Sequence, residues 1–483
     1  MKILVTGGTG VIGEGVIPEL IARGHSVRLL SRHAEDDAKQ WPGVEPFNGN
    51  VADASTLTGA ADDCDAVLHI AGIVEEDPPK LTFQSVNVYG TRNMLDEAKR
   101  ANVQRFIFVS SLGADVGESD YHRSKKASEE IVVQSESQWT IVRPGNVYGP
   151  GDEVVSLILK MVRTLPAVPV INSGNQEFQP IWHEDLARVL ASVVERNDLA
   201  KQTLEAAGPE ITTMSNLVER FREITGRSPL KVRVPSALAQ FGVDGNKLQM
   251  LREKNVVRGR SAMEILGVEA TPLDRGLRLL ADAFKEALPE DGFGALEHKT
   301  FYAEIRGARH SAASLMMLFR ERVNEIMPIE FVAEPGAPDR VEKGATLTGS
   351  LPLRGNFQVR VEVAEPTHVV FATLEGHPLA GIVEFTSGEE NGVLRFAVDT
   401  WTRASNVFDW LAARTVGAPA QDANWRAVVQ NVIDASGGTS EGVQQEKEKL
   451  SDEDASRAEE RIKTLIQTRK REEVDVPASA DAR

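Results

Sequence analysis

An apolar run, "KILV" at 2–5, leads directly into "TGGTGVIG" at 6–13. A buried strand that breaks into a glycine-rich turn and then into a helix constrains the fold more than any other feature of the chain. Such a turn lets the backbone approach a pyrophosphate, while the helix N-terminus supplies N–H groups and positive potential to hold it. Two glycine frames fit, Gly7-x-x-Gly10-x-x-Gly13 and Gly8-x-Gly10-x-x-Gly13. Gly7 and Gly10 are expected to form the turn and allow the close approach, Val11 and Ile12 to open the helix over the nucleotide, and Gly13 to let that helix pack on the sheet.

The alternation that follows agrees with this reading. "KILVTG", "SVRLLSR", "AVLHIAG", "RFIFVSS" and "TIVRPG" read as strands, separated by amphipathic patterns such as "EGVIPELIARG" and "GTRNMLDEAKRANV". Short apolar runs alternating with helices specify βαβ units and a doubly wound parallel sheet, an α/β Rossmann fold. Residues 151–290 turn mainly helical, as expected of a small substrate lobe, so the first domain is assigned to 1–290.

About 20 residues after the glycines, where an NAD-preferring fold carries an acid for the ribose 2′-OH, the chain has Ser31 and Arg32. A guanidinium suits a 2′-phosphate, which favours NADP(H) over NAD. In the competing reading Arg32 is an ordinary surface residue and Glu35 or Asp36 takes the ribose. Further on, "YHRSK" at 121–125 places Tyr121 and Lys125 four residues apart, on one helix face. A nearby ammonium and a cationic nicotinamide favour the phenolate, so the pair can move a proton during hydride transfer. "FVSS" ends a strand ten residues earlier and brings Ser110 or Ser111 to the carboxyl edge of the sheet, where parallel sheets bind ligands.

Together "TGGTGVIG", "HIAG" at 69–72, "VNVYGTRNML" at 86–95, "FVSS" with "YHRSK", and "VRPGNVYGPGD" at 142–152 give residues 1–290 a resemblance to extended or atypical, epimerase-like short-chain dehydrogenase/reductases. That resemblance implies Ser111, Tyr121 and Lys125 as the catalytic set, with Ser110 the competing serine. It also implies that Ala71, Gly72 and Pro144 line the cofactor, along with Tyr121 and Lys125. "FQPIWHEDLARVL", "EAAGPEITTMSNLVERF" and "NVVRGRSAMEILGVEATPLDRGL" are most similar to the branch holding the nucleotide-binding accessory subunit of respiratory complex I. Some members of that branch bind NADPH without known turnover. Where many relatives have Gly-Asp, this chain has "GNVAD". Asn50 is therefore expected to accept from the adenine amino group through its side-chain carbonyl, and Val51 to offer its backbone.

Pro and Gly in "PEDGFGALE" at 289–297 mark a linker. Beyond it a strand, a helical stretch and five successive strand candidates from "ATLTGSLPL" to "GVLRFAVDTWT" read as an antiparallel meander, closed by a helix with Trp425, Val429 and Ile433 on an apolar stripe. The stretch "ATLEGHPLAGIVEFTSGEENGVLRFAVDTWTRAS" resembles a START-like, polyketide-cyclase-like family. This implies an α+β helix-grip domain over 298–437, which in that superfamily often encloses an apolar cavity under the last helix. Residues 438–483, charged and almost free of aromatics, are expected to form a flexible tail with a helical segment around Ile462 to Ile466. His310, His368 and His377 lack metal-ligand spacing, and no metal is expected.

A net charge of −17 argues against a general nucleic-acid or anionic-membrane binder. No apolar stretch approaches the ~18 residues that span a bilayer, no signal peptide is visible, and the single cysteine, Cys64, suits a reducing cytoplasm. The leading expectation is an NADP(H)-dependent oxidoreductase or epimerase/dehydratase for a carbonyl or secondary alcohol, on a small-molecule substrate that is hydrophobic if the second domain serves it. The alternatives are an NADPH-binding scaffold or assembly protein, associating with copies of itself or with a respiratory complex, and a lipid- or quinone-like carrier.

Overall fold

The computed structural model describes residues 1–152, 154–164, 167–171, 174–226, 228–234, 255–283, 286–329, 331–333, 340–351, 355–374, 377–405 and 418–475. The chain divides into two compact units. One comprises Met1–Leu159, Val168–Phe221 and Lys231–Ala283; the other comprises Phe284–Arg483 with Lys160–Ala167 and Arg222–Leu230. Among the described residues no helix is long and apolar enough to cross a membrane.

The first unit is built on seven strands: β1 (Lys2–Thr6), β2 (Ser26–Ser31), β3 (Glu45–Asn48), β4 (Ala66–His69), β5 (Arg105–Val109), β6 (Gln138–Pro144) and β7 (Gln202–Ala206). Their spatial order is β7-β6-β5-β4-β1-β2-β3, and every pair is parallel. This is a Rossmann-like α/β sheet, as the alternation predicts. Central strands such as β4 and β5 are buried along their whole length because helices cover both faces. Helix α1 (Val11–Ala22) shares one core with α4 (His183–Glu195) through Val16, Ile17, Leu186 and Leu190. Helices α2 (Gly90–Arg100) and α3 (Asp120–Gln134) supply Met94, Leu95 and Val132 to the core of the opposite face. Two strands escaped the sequence pattern. β3 is an edge strand that tolerates Pro46, and β7 is the other edge.

Among the described residues, the second unit holds one antiparallel sheet of eight strands: β8 (Phe293–Arg306), β9 (Phe331–Ala333), β10 (Thr346–Leu351), β11 (Gly355–Ala364), β12 (His368–Thr373), β13 (Leu379–Glu390), β14 (Val393–Ala404) and β15 (Gln444–Glu448). The order is β9-β10-β11-β12-β13-β14-β8-β15. Period-two alternation splits its faces. Phe371, Phe385 and Phe396 point to a core closed by α5 (Ala312–Glu321) and α6 (Ala418–Ser436), whose Val428, Val429, Val432 and Ile433 pack there beside Trp425. Rings in this core lie as close as 4.6 Å, the spacing of Phe319 and Phe385, and Trp425 meets Phe385 at 6.1 Å.

The chain after residue 437 corrects an expectation. It is no solvated tail over its described length. β15 pairs with β8, and α7 (Asp452–Asp475) lays Ile462 and Ile466 on the outer sheet face against Val370, Ala372 and Ile382. Charge does the rest of the docking. Arg469, 2% exposed, reaches Glu362 at 2.6 Å and Glu286 at 2.5 Å. Residues 476–483 lie outside the described residues.

Candidate active site

The glycine turn separates into positions with different duties. Gly7 has φ +73°, which favours glycine, and a Cβ there would lie 2.6 Å from the Ala71 nitrogen. A Cβ on Gly13 would lie 2.3 Å from the Gly8 Cα, so α1 can sit against the turn only because both residues lack side chains. Gly8, outside the expected set, packs under Leu29 and Ile17. Gly10 differs from both: it is exposed, and the nearest atom to a Cβ there is 3.7 Å away. It caps α1 without a side chain, leaving the first-turn N–H groups of Val11 and Ile12 at the mouth of the turn. These backbone positions fit a dinucleotide pyrophosphate.

At the end of β2, Arg32 is exposed, with no hydrogen bond or ion pair among the described residues. The Ser31 hydroxyl donates to Asp37 and accepts from the His33 N–H, while the rival Asp36 is paired with Lys39 at 2.7 Å. Asn50 is more committed than the sequence suggested. Its Oδ1 accepts from the Ala52 N–H at 3.1 Å, which leaves one carbonyl lone pair for an adenine amino group. The Val51 carbonyl, in turn, already accepts from Asn93 at 2.8 Å.

The carboxyl ends of β4, β5 and β6 bring the remaining residues together. Ser119 caps α3 by accepting from the His122 N–H, which sets Tyr121 in the first turn and Lys125 one turn later. Tyr121 is 8% exposed and Lys125 4%. Burial pushes the Tyr121 phenol up, and the neighbouring Ser111 pulls it partly back; the Ser111 hydroxyl itself donates to the Leu112 carbonyl at 3.4 Å. Lys125, expected from the sequence to lower that phenol, is engaged elsewhere. The Lys125 Nζ instead donates to the Val109 carbonyl at 3.0 Å, over the Phe108 ring. Burial pulls this ammonium down to about 8, with Glu129 opposing. Ser110, the rival serine, keeps a buried hydroxyl with no partner among the described residues. Pro144 closes β6 and accepts from the Leu112 N–H at 2.7 Å, fixing the loop that carries both serines.

One residue of this site was missed. Asn87, 2% exposed, accepts from the Ile73 N–H at 2.8 Å and donates to the Ile73 carbonyl and to Ser124 at 2.9 Å. It thereby ties the loop after β4 to the helix of Tyr121. A Cβ on Gly72 would fall 3.0 Å from Lys125 Nζ and 3.2 Å from Asn87 Oδ1, so this glycine keeps open the approach to the lysine. Below them His69 bonds Thr6 and Thr91, and burial pulls its imidazole down to about 3, which keeps it neutral and structural.

Comparison with known proteins bears on the fold of this unit and on its nucleotide-binding likeness. Residues 7–196 match a family described as NAD(P)H-binding. Over 245 residues the chain is 26% identical to NADH dehydrogenase (ubiquinone) 1 alpha subcomplex subunit 9, mitochondrial, of Arabidopsis thaliana, covering 49% of this chain and 61% of that protein. The chain thus matches less than two thirds of that relative's length. It is 29% identical over 269 residues to Sterol demethylase protein B of Methylococcus capsulatus, covering 50% of this chain and 79% of that one. Pal from Bacillus thuringiensis superposes with a TM-score of 0.50 at 20% identity over 59% of this chain and 98% of its own, a likeness of fold alone. Residues 7–196 of the first unit are thus similar to an NAD(P)H-binding family, on a Rossmann-like sheet.

Proposed function

We propose that the chain is an NADP(H)-dependent oxidoreductase, or an epimerase or dehydratase using the same chemistry, that acts in the cytoplasm on a carbonyl or secondary alcohol of a hydrophobic small molecule. The observation that carries this reading is Tyr121 buried one helical turn before Lys125 on α3, beside the strand ends that carry Ser111 and the glycine turn. A bound nicotinamide supplies or accepts the hydride. The chain's part is the proton. Tyr121 gives it to the carbonyl oxygen in reduction or takes it from the hydroxyl in oxidation, Ser111 donates to that same oxygen, and Lys125 holds the ribose. Arg32, free at the end of β2, suits a 2′-phosphate and supports NADP(H) over NAD.

The hydrophobic substrate class draws on the Methylococcus relative, whose name refers to a sterol, and on reading 298–437 as a START-like helix-grip domain. A panel of sterol-like and acyl-chain ketones and secondary alcohols, assayed with NADPH and NADP⁺, tests the proposal. Turnover of any member supports it. A second reading, a non-catalytic NADPH-binding scaffold within a larger assembly, is favoured by the relative named as a subunit of NADH dehydrogenase. Tight NADPH binding with no turnover across the panel selects that reading instead.

A further inference from the structure

Helix α7 leaves a groove of about 590 Å³ along one flank, between the helix and the end of the sheet where β11 turns into β12. Its helical wall runs from Arg457 to Arg469, about 18 Å at 1.5 Å per residue. Val363 and Leu465 supply apolar surface. Three carboxylates line the groove, and none is fully used. Glu362, 1% exposed, accepts from the Arg469 Nε on Oε2 at 2.6 Å, while its Oε1 is buried with no partner among the described residues. Leaving a buried acceptor without a donor is costly. Glu365 and Glu460 are exposed, and among the described residues their side chains have no hydrogen bond or ion pair.

The cations of the groove, by contrast, are engaged. Arg457 pairs with Asp454 at 2.7 Å, Arg461 with Glu384 at 2.6 Å, and Arg469 with Glu286 and Glu362 at 2.5 and 2.6 Å. Lys343 also has a partner. What the groove lacks is positive charge and N–H donors, spaced along an apolar wall. A metal ion does not meet that need, since among the described residues no three His, Cys, Asp or Glu groups are placed to hold one. Ammonium groups separated by methylenes do meet it. We propose that the groove beside α7 binds a linear polyamine, with one ammonium donating to Glu362 Oε1, others meeting Glu365 and Glu460, and the methylenes lying on Val363 and Leu465. Such a ligand bridges sheet and helix and so fastens the C-terminal segment. Burial holds the Glu362 carboxyl up near 7 against Arg469, with Glu286 and Arg360 also facing it. A nearby ammonium favours the carboxylate, so affinity should rise as pH rises through 7.

The test is calorimetric titration of the full chain with spermidine in about 150 mM NaCl, which screens the diffuse attraction of a chain of net charge −17. One saturable site is expected, roughly threefold tighter at pH 8 than at pH 6. The Glu362→Gln variant should lose that pH dependence. Replacing the two exposed acids together, Glu365→Gln with Glu460→Gln, should leave the melting temperature unchanged and weaken binding roughly tenfold, as two lost surface ion pairs would. Butylamine, with a single charge, should bind more weakly still. Absent or unsaturable spermidine binding overturns the inference, and so does equal affinity in the unmodified protein and the Glu365/Glu460 variant. A pH dependence that persists in Glu362→Gln overturns it as well.

Discussion

The Lys125 ammonium donates to the Val109 carbonyl at 3.0 Å from a position only 4% exposed. Burial lowers its pKa to about 8 from the ordinary lysine value of 10.5, so between those values the unfolded chain binds the extra proton and the folded chain does not. The cost of the charge is complete below about pH 8 and fades as pH rises toward 10.5. Lys125→Met is expected to stabilise the cofactor-free protein by about 1–3 kcal/mol at pH 7, the lost bond to Val109 offsetting part of the gain. Urea denaturation at pH 7 and pH 10 checks this: the gain should shrink at the higher pH, while NADPH affinity falls at both.

Gly10 and Gly13 separate folding from binding. A Cβ at Gly13 would meet backbone atoms of Gly8 and Gly7 at 2.3 and 2.5 Å, whereas at Gly10 the nearest atom is 3.7 Å away. Gly13→Ala should lower the melting temperature and NADPH affinity together. Gly10→Ala should leave the melting temperature within about a degree, since surface substitutions away from special features stay within about 0.5 kcal/mol. Calorimetry should still show at least a tenfold loss of NADPH affinity, because the methyl group enters the space the pyrophosphate needs.

Much of this site was legible because its chemistry is local. A strand, a glycine turn and a helix start announce themselves within a dozen residues, and Tyr121 and Lys125 are spaced by helical geometry. Asn87 was not legible, since its partners Ile73 and Ser124 lie 14 residues before it and 37 after it. The C-terminal segment misled in another way. Its charge was read as solvation, but Arg469 is buried against Glu286 and Glu362, carboxylates far upstream. Only Ile462 and Ile466, four residues apart, signalled an attachment face.

Deleting residues 449–483 should destabilise the second unit by roughly 3–6 kcal/mol, from two uncovered isoleucines and carboxylates left buried without Arg469. A thermal melt unchanged by the truncation would contradict the docked arrangement. Burial raises Glu362 to about 7, with Arg469 opposing. The stability from this group is complete below the ordinary carboxylate pKa and is lost as pH rises through about 7. Glu362→Gln should therefore flatten the decline in denaturation midpoint between pH 5.5 and pH 8.

Arg32 is predicted to set cofactor preference. NADPH should bind more tightly than NADH, and Arg32→Ala should narrow the gap by about 1.5–3 kcal/mol, the range for a hydrogen bond to a charged group. Equal affinities in the unmodified protein, measured by calorimetry, would remove the basis for this assignment.

The central claim is that Tyr121 moves the proton in a reaction the chain performs. Tyr121→Phe removes one oxygen at a position 8% exposed and leaves the glycine cradle as it is. The decisive measurement is the rate of NADPH consumption by this variant on any ketone that the unmodified protein reduces. The account predicts unchanged NADPH affinity and a rate lower by roughly 10²–10⁴-fold, the usual contribution of a positioned acid or base. A rate within a factor of a few of the unmodified protein would contradict it.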